Sequence, residues 1–188
     1  MSTYILCHGL RSLGGDVSFR LPHRQKDGYG IRDYMVTEAK EQGVDTIITC
    51  DNGISAGQPI QTAKELGMTV VLTDHHEVLL PSADVIVDPK QSVDNYPYPQ
   101  LCGAGIAYKL IYELYHRAGK KGCDRELLPF AAMATVCDVV PLYGENRSIV
   151  RRGLAGIHQT GNIGLNALIK HLDFHKEIRA MDLGFRIG

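Results

Sequence analysis

The apolar run TVVLT (residues 69–73) ends in Asp74-His75-His76. One acid and two adjacent imidazoles do nothing for an apolar strand, but they suit a metal ion or a phosphate. A second run, DTIITC (residues 45–50), ends in Asp51-Asn52-Gly53. Ligands collect at the carboxyl ends of strands in open parallel sheets. If the two runs are neighbouring strands, Asp51 and the Asp74 trio share one rim. A third acid, Asp138, is the one charged residue in PFAAMATVCDVVPL (residues 129–142). A carboxylate among apolar side chains is costly unless it is paired or ligated.

Carboxylate and imidazole without thiolate suit Mn²⁺ or Mg²⁺ better than structural zinc. Two such ions about 3.5–4 Å apart clamp the attacking and leaving oxygens of a phosphoester displacement. A histidine beside a liganding one then acts on the phosphate by hydrogen bonding or proton transfer. Bland readings stand beside these. Asp51 opens a D-N-G turn, Asp74 is a helix N-cap, and Asp138 pairs with Arg147 or caps a helix. The adjacent histidines are what those readings leave unexplained.

Other polar groups carry less. Gly103-Ala104-Gly105 opens a helix, where close packing competes with phosphate binding. The KDGYG stretch (residues 26–30) is a substrate-facing loop or an ordinary turn. Arg20, His23, Arg24 and Lys26 read as a solvated loop. His8, His158, His171 and His175 read as surface or core residues.

The elements that must position the site alternate in the first half. A helix over 2–13 leads through Gly14-Gly15 to a short strand, DVSFRL (residues 16–21), and a polar loop. A helix over 31–42 stops at Gly43, and DTIITC reads as a buried strand. After the DNGIS turn, a helix over 56–66 stops at Gly67, followed by TVVLT and the strand DVIVDP (residues 84–89). Strand–helix–strand spacing of this kind predicts βαβ units on a parallel sheet. After Pro99 four apolar helices are expected, over 101–119, 124–140, 145–159 and 164–172. The expected fold class is α/β: a parallel sheet of βαβ units flanked by helices, then a helical segment. The expected division is an α/β part (1–95) and a helical part (100–188) of one domain.

The chain has 188 residues, 44% hydrophobic and 22% charged, as in ordinary globular proteins. Its 20 basic and 21 acidic residues exclude a global basic field. The five cysteines form no C-x-x-C pair, which is reduced, cytoplasmic usage. No apolar run has membrane-spanning length, so no membrane partner is expected. Both ends read as cut.

In order and spacing, TCDNGIS, TDHHEV, DGYGI, VDPKQ, CGAGIAYKL and ATVCDVVPLYGENR resemble the DHH phosphoesterases, in their RecJ-type single-stranded-DNA-specific exonuclease branch. The resemblance spans 2–188 and implies the DHH phosphoesterase fold. It also implies a two-metal, Mn²⁺- or Mg²⁺-dependent hydrolase that degrades single-stranded DNA from the 5′ end in repair and recombination. Asp51, His75 and Asp138 match metal ligands of that family. His76 matches the histidine facing the scissile phosphate, and Asp74 a ligand or an orienter of a histidine.

The family's first Asp-x-Asp motif would precede residue 2, and its C-terminal DHH-associated domain would follow residue 188. On that expectation the chain is a truncated catalytic core, impaired alone and holding one ion weakly. Two alternatives remain: a DHH phosphodiesterase for short oligonucleotides or cyclic dinucleotides, and a non-catalytic binding fragment.

Overall fold

Three parallel strands carry the candidate residues. They are β1 (Thr46–Cys50), β2 (Thr69–Thr73) and β3 (Val85–Val87), in the order β1-β2-β3. The computed structural model of the chain describes residues 1–77, 79, 81–92, 96–172 and 178–187. Helices α1 (Ser2–Ser12), α2 (Asp33–Glu41), α3 (Gly57–Glu65), α4 (Gly103–Arg117), α5 (Cys123–Cys137), α6 (Gly144–Gly156) and α7 (Ile163–His171) complete the main elements. A short turn, Ala180–Asp182, continues into a π-helical turn, Leu183–Ile187. The chain divides into two compact units, residues 18–99 and residues 1–17 with 100–188.

In the first unit, β-branched residues favour the extended backbone, and α3 returns the chain so that β1 and β2 pair in parallel. The register sets Cys50 opposite Thr73, and Thr73 opposite Val87. The core is Val36 of α2, Ile54, Ile60 and Ala63 of α3, Met68, and Val70 and Leu72 of β2. Gly43 and Gly67 follow α2 and α3 with φ of 81° and 69°, the helix-ending conformation their sequence positions announced. The sequence reading made β1 a buried strand. Among the described residues it lies at the edge of the sheet, with Thr46 exposed and Ile47 and Ile48 half-buried.

The strand expected over 16–21 does not form. Its apolar residues alternate, but among the described residues no neighbouring ladder receives them, and Phe19 and Leu21 are 61% and 62% exposed. Alternation selects a face; it does not supply a partner strand.

The second unit is helical. Here α1 packs on α4 and α5, α4 on α5, and α5 on α6. Helix α1 therefore belongs with the C-terminal helices rather than with the α/β part, because Ile5 and Leu6 are buried in this unit with Ile111, Leu127 and Ala131. Asn162 caps α7 by accepting the Leu165 N–H at 2.8 Å. The α5–α6 contact is close at Gly153, where an added Cβ would stand 2.4 Å from Ala132 Cβ and 2.8 Å from the Leu128 carbonyl oxygen. Backbone cannot yield there as a flexible side chain would. Gly153→Ala is expected to destabilise the chain by about 2 kcal/mol, read as a lower midpoint in urea unfolding.

Candidate metal centre

Each strand of the sheet delivers an aspartate at its carboxyl end: Asp51 after β1, Asp74 after β2 and Asp88 after β3. The ladder continues one step past the strands. Asp51 N–H donates to Thr73 O at 3.0 Å and Asp74 N–H to Val87 O at 3.2 Å. The three acids are thus placed side by side by main-chain hydrogen bonds.

Asp74 is 1% exposed and organises its surroundings. Its Oδ2 accepts the Ile54 N–H at 3.0 Å, which pins the turn after β1. Its Oδ1 accepts the His75 N–H at 2.8 Å and meets His76 Nδ1 at 2.6 Å. No helix starts at Asp74 among the described residues, so the N-cap reading fails. Both oxygens are engaged by the protein, the arrangement of an acid that orients a histidine.

The turn that Asp74 holds is tightly built. Asp51 adopts φ 60°, unusual for a residue with a Cβ. Gly53 has φ 113°, and a Cβ there would lie 2.7 Å from Thr49 Oγ1. Only glycine closes this turn.

Asp51 Oδ1 lies 3.0 Å from His75 Nε2. The imidazole beside it holds the Asp51 carboxyl below the usual carboxylate range. The His75 and His76 rings have centroids 4.5 Å apart, inclined at 50°. Asp51, His75 and His76 each offer one ligand atom, all within 4.8 Å of one another. A carboxylate oxygen and an imidazole nitrogen at that spacing fit a divalent ion, with the second imidazole beside them. Three of the sequence candidates therefore converge, and the fourth, Asp74, stands directly behind them.

Asp138 belongs to the other unit. It follows α5 as its C-cap, its N–H donating to Ala134 O at 2.9 Å. The sequence reading placed it among apolar side chains, but it is exposed, because α5 ends just before it and its apolar neighbours Val139 and Leu142 are exposed too. The minor candidates fall on the bland side. His8 meets Glu126 at 3.0 Å, and His158 and His171 are exposed. His175 lies outside the described residues. Gly103 and Gly105 are buried, and the Gly105 N–H is taken by Cys102 Sγ at 3.3 Å.

Sequence reasoning missed Asp88. It is 3% exposed; Oδ1 accepts the Lys90 N–H at 2.8 Å and Oδ2 is buried without a partner. Burial, with Asp74 adding to it, pushes its carboxyl above the ordinary range. The available signal was its place after the third strand, matching Asp51 and Asp74. A raised carboxyl holds its proton in the folded chain at a pH where the unfolded chain has lost it, so stability falls as pH rises through that window. Asp88→Asn is expected to stabilise the chain by about 1 kcal/mol at neutral pH. The gain should vanish below the ordinary aspartate value of about 3.9, as thermal midpoints across a pH series would register.

An acidic and imidazole cluster at the carboxyl edge of a parallel sheet suits a divalent ion and, through it, a phosphate ester. Residues 1–135 match the family model "DHH family, N-terminal domain". The chain belongs to the DHH family. It is 42% identical over 171 residues to the single-stranded-DNA-specific exonuclease RecJ of Bacillus subtilis, covering 90% of this chain and 21% of that protein. With RecJ of Salmonella typhimurium the identity is 37%, over 100% of this chain and 35% of that protein. Among solved structures, exonuclease RecJ bound to manganese superposes with TM-score 0.88 at 34% identity, covering 99% of this chain and 47% of that one. RecJ in complex with Mn²⁺ from Thermus thermophilus gives TM-score 0.83 at 30% identity, covering 99% of this chain and 26% of that one. The chain thus spans about a fifth to a third of these two curated relatives' length.

Proposed function

We propose that this chain is the metal-holding core of a phosphodiesterase that degrades single-stranded DNA from its 5′ end. The observation that carries this reading is the convergence of Asp51, His75 and His76 on the carboxyl edge of the sheet. Kinship to the RecJ exonucleases supplies the substrate class.

Asp51 and His75 would hold a Mn²⁺ or Mg²⁺ ion. A bound ion of this kind polarises a phosphoryl oxygen and lowers the pKa of water. The protein contributes orientation. Asp74 accepts from His76 Nδ1–H, so the neutral ring presents a bare Nε2 and the protonated ring presents Nε2–H to an anionic phosphate oxygen. Because Asp74 also holds the Ile54 and His75 amides, the turn bearing Asp51 and the two histidines keep a fixed mutual geometry.

The loop before α2 supports a single-stranded substrate. Tyr29 is 81% exposed with the Arg24 guanidinium 5.4 Å from its ring centroid, and Arg20 stands 5.9 Å from that of Tyr34. Exposed aromatic rings among cations stack bases and follow a phosphate backbone. A cytoplasmic setting fits five cysteines of which none is in a disulfide.

His75→Ala is expected to weaken Mn²⁺ binding at least tenfold by calorimetry, and matching isotherms for the variant and the parent would overturn the metal site. His76→Ala should keep Mn²⁺ affinity within about threefold and lose nucleotide release from 5′-labelled single-stranded DNA. Faster hydrolysis of a cyclic dinucleotide would favour the smaller-substrate reading. DNA retention without nucleotide release would favour the binding fragment.

A further inference from the structure

The outward face of α6 concentrates positive charge. From Asn146 to Leu172 the sequence has four basic residues, Arg147, Arg151, Arg152 and Lys170, and no Asp or Glu. Over the whole chain 20 basic residues face 21 acidic ones, so this balance is a local one. Helix α6 buries Asn146, Ile149, Val150 and Gly153 and packs on α5. Helical periodicity then gathers Arg147, Ser148, Arg151, Arg152 and Ala155 on the opposite arc, and all five are exposed.

An ordinary solvated helix face is the competing explanation, and two details count against it. In this unit Lys109, Arg117, Arg125, Arg152 and Arg186 each meet an acid. The side chains of Arg147 and Arg151 meet no partner among the described residues. Glu145, the one acid of α6, is taken by Lys109 of α4. The two positions also carry a local cost. Like charges four residues apart on a helix repel, and a cation near the amino end opposes the helix dipole. Arg147 has both against it. An external anion offsets both.

The chemistry of the arc says which anion. Residues four apart stand about 6 Å apart along a helix, a step that consecutive phosphates of one strand match. A guanidinium donates two parallel hydrogen bonds to a phosphate, which a lysine does not. Ser148 adds a hydroxyl of the kind that contacts phosphate oxygens. Ser148 and Ala155 are small, so nothing beside the arginines keeps a strand away. The apolar face of α6 is spent on α5, which leaves none to enter an anionic lipid surface.

We propose that this arc of α6, through Arg147 and Arg151, is a nucleic-acid-binding surface that holds consecutive phosphates of a DNA strand without reading its bases. It lies wholly within the helical unit and needs neither a metal ion nor turnover. Only the choice of a nucleic acid over another polyanion rests on the proposed function.

The test is fluorescence anisotropy of the full 188-residue chain on labelled single-stranded DNA, across a salt series with EDTA present, so that cleavage plays no part. Circular dichroism confirms folding. Arg147→Gln and Arg151→Gln should each weaken binding severalfold and flatten the dependence of log affinity on log salt by about 0.7, and the double variant by about 1.4. The loss should be equal on two oligonucleotides of unrelated sequence. Lys40→Gln removes the same charge from an exposed site on the other unit and should change neither affinity nor slope. Ala155→Arg lengthens the stripe and should steepen the slope by about 0.7.

An unchanged slope in the folded double variant overturns the proposal. So does an equal effect of Lys40→Gln, a loss confined to one sequence, or a parent chain that binds anionic phosphatidylserine vesicles more tightly than DNA or binds no DNA. Should the double variant fail to fold, Ala155→Arg carries the test, and a slope no steeper than the parent's overturns the surface. Loss of DNA binding in the double variant of a parent that takes up no Mn²⁺ sinks the metal reading and leaves this one standing. Parental DNA affinity in the double variant, with Mn²⁺ uptake intact, sinks this surface alone.

Discussion

The candidate centre depends on one buried carboxylate. Asp74 accepts main-chain protons from Ile54, in the turn after β1, and from His75, which follows it directly. It also orients the imidazole of His76. A buried charge is tolerable when hydrogen-bond donors surround it, and each donor here belongs to a segment that must be held. Without this acceptor the Ile54 amide would be buried and unpaired, and the Asp51 turn would lose its tie to the neighbouring strand. The hydrogen bonds that place the candidate ligands also fold the chain at this rim.

Strain is stored beside that acceptor. Asp51 is held in the left-handed region between a strand whose ladder continues into its own amide and a glycine that fits under Thr49. Asp51 Oδ1 and His75 Nε2 stand at hydrogen-bond distance, 3.0 Å apart. That imidazole holds the Asp51 carboxyl below the ordinary range, so it stays ionised to lower pH than an ordinary aspartate. The helical unit repeats the device in its own terms, with a left-handed Val139 after an acid at the end of α5.

Much of this was legible in the chain. Asp51, Asp74, His75 and His76 stand out because polar residues interrupt apolar runs where strands must end, and the βαβ spacing puts both ends on one rim. The ordered motifs carried the family. What could not be read depended on long-range pairing. The segment 16–21 alternates as a strand does, yet the alternation says nothing of whether a ladder exists to receive it. Asp88 reads as the close of a short strand; its burial beside Asp74 comes from the β2–β3 register. Helix α1 lies next to the α/β half in sequence, and only the packing of Ile5 and Leu6 assigns it to the other unit. Asp138 misled in the opposite way. An apolar sequence around an acid looked like a buried acid, but the helix ends before it and turns its neighbours outward.

The in-register pairing of β1 with β2 also governs how this centre can change over time. Asp51 and His75 are far apart along the chain, but their spacing is set by the ladder and its one-step extension past the strands. The length of α3 contributes nothing to that distance. Residues gained or lost within that helix leave the donor spacing intact, whereas a single insertion within either strand moves one donor by a full step and inverts its face. The site is therefore deeply sensitive to length in two five-residue strands and indifferent to it in the helix between them.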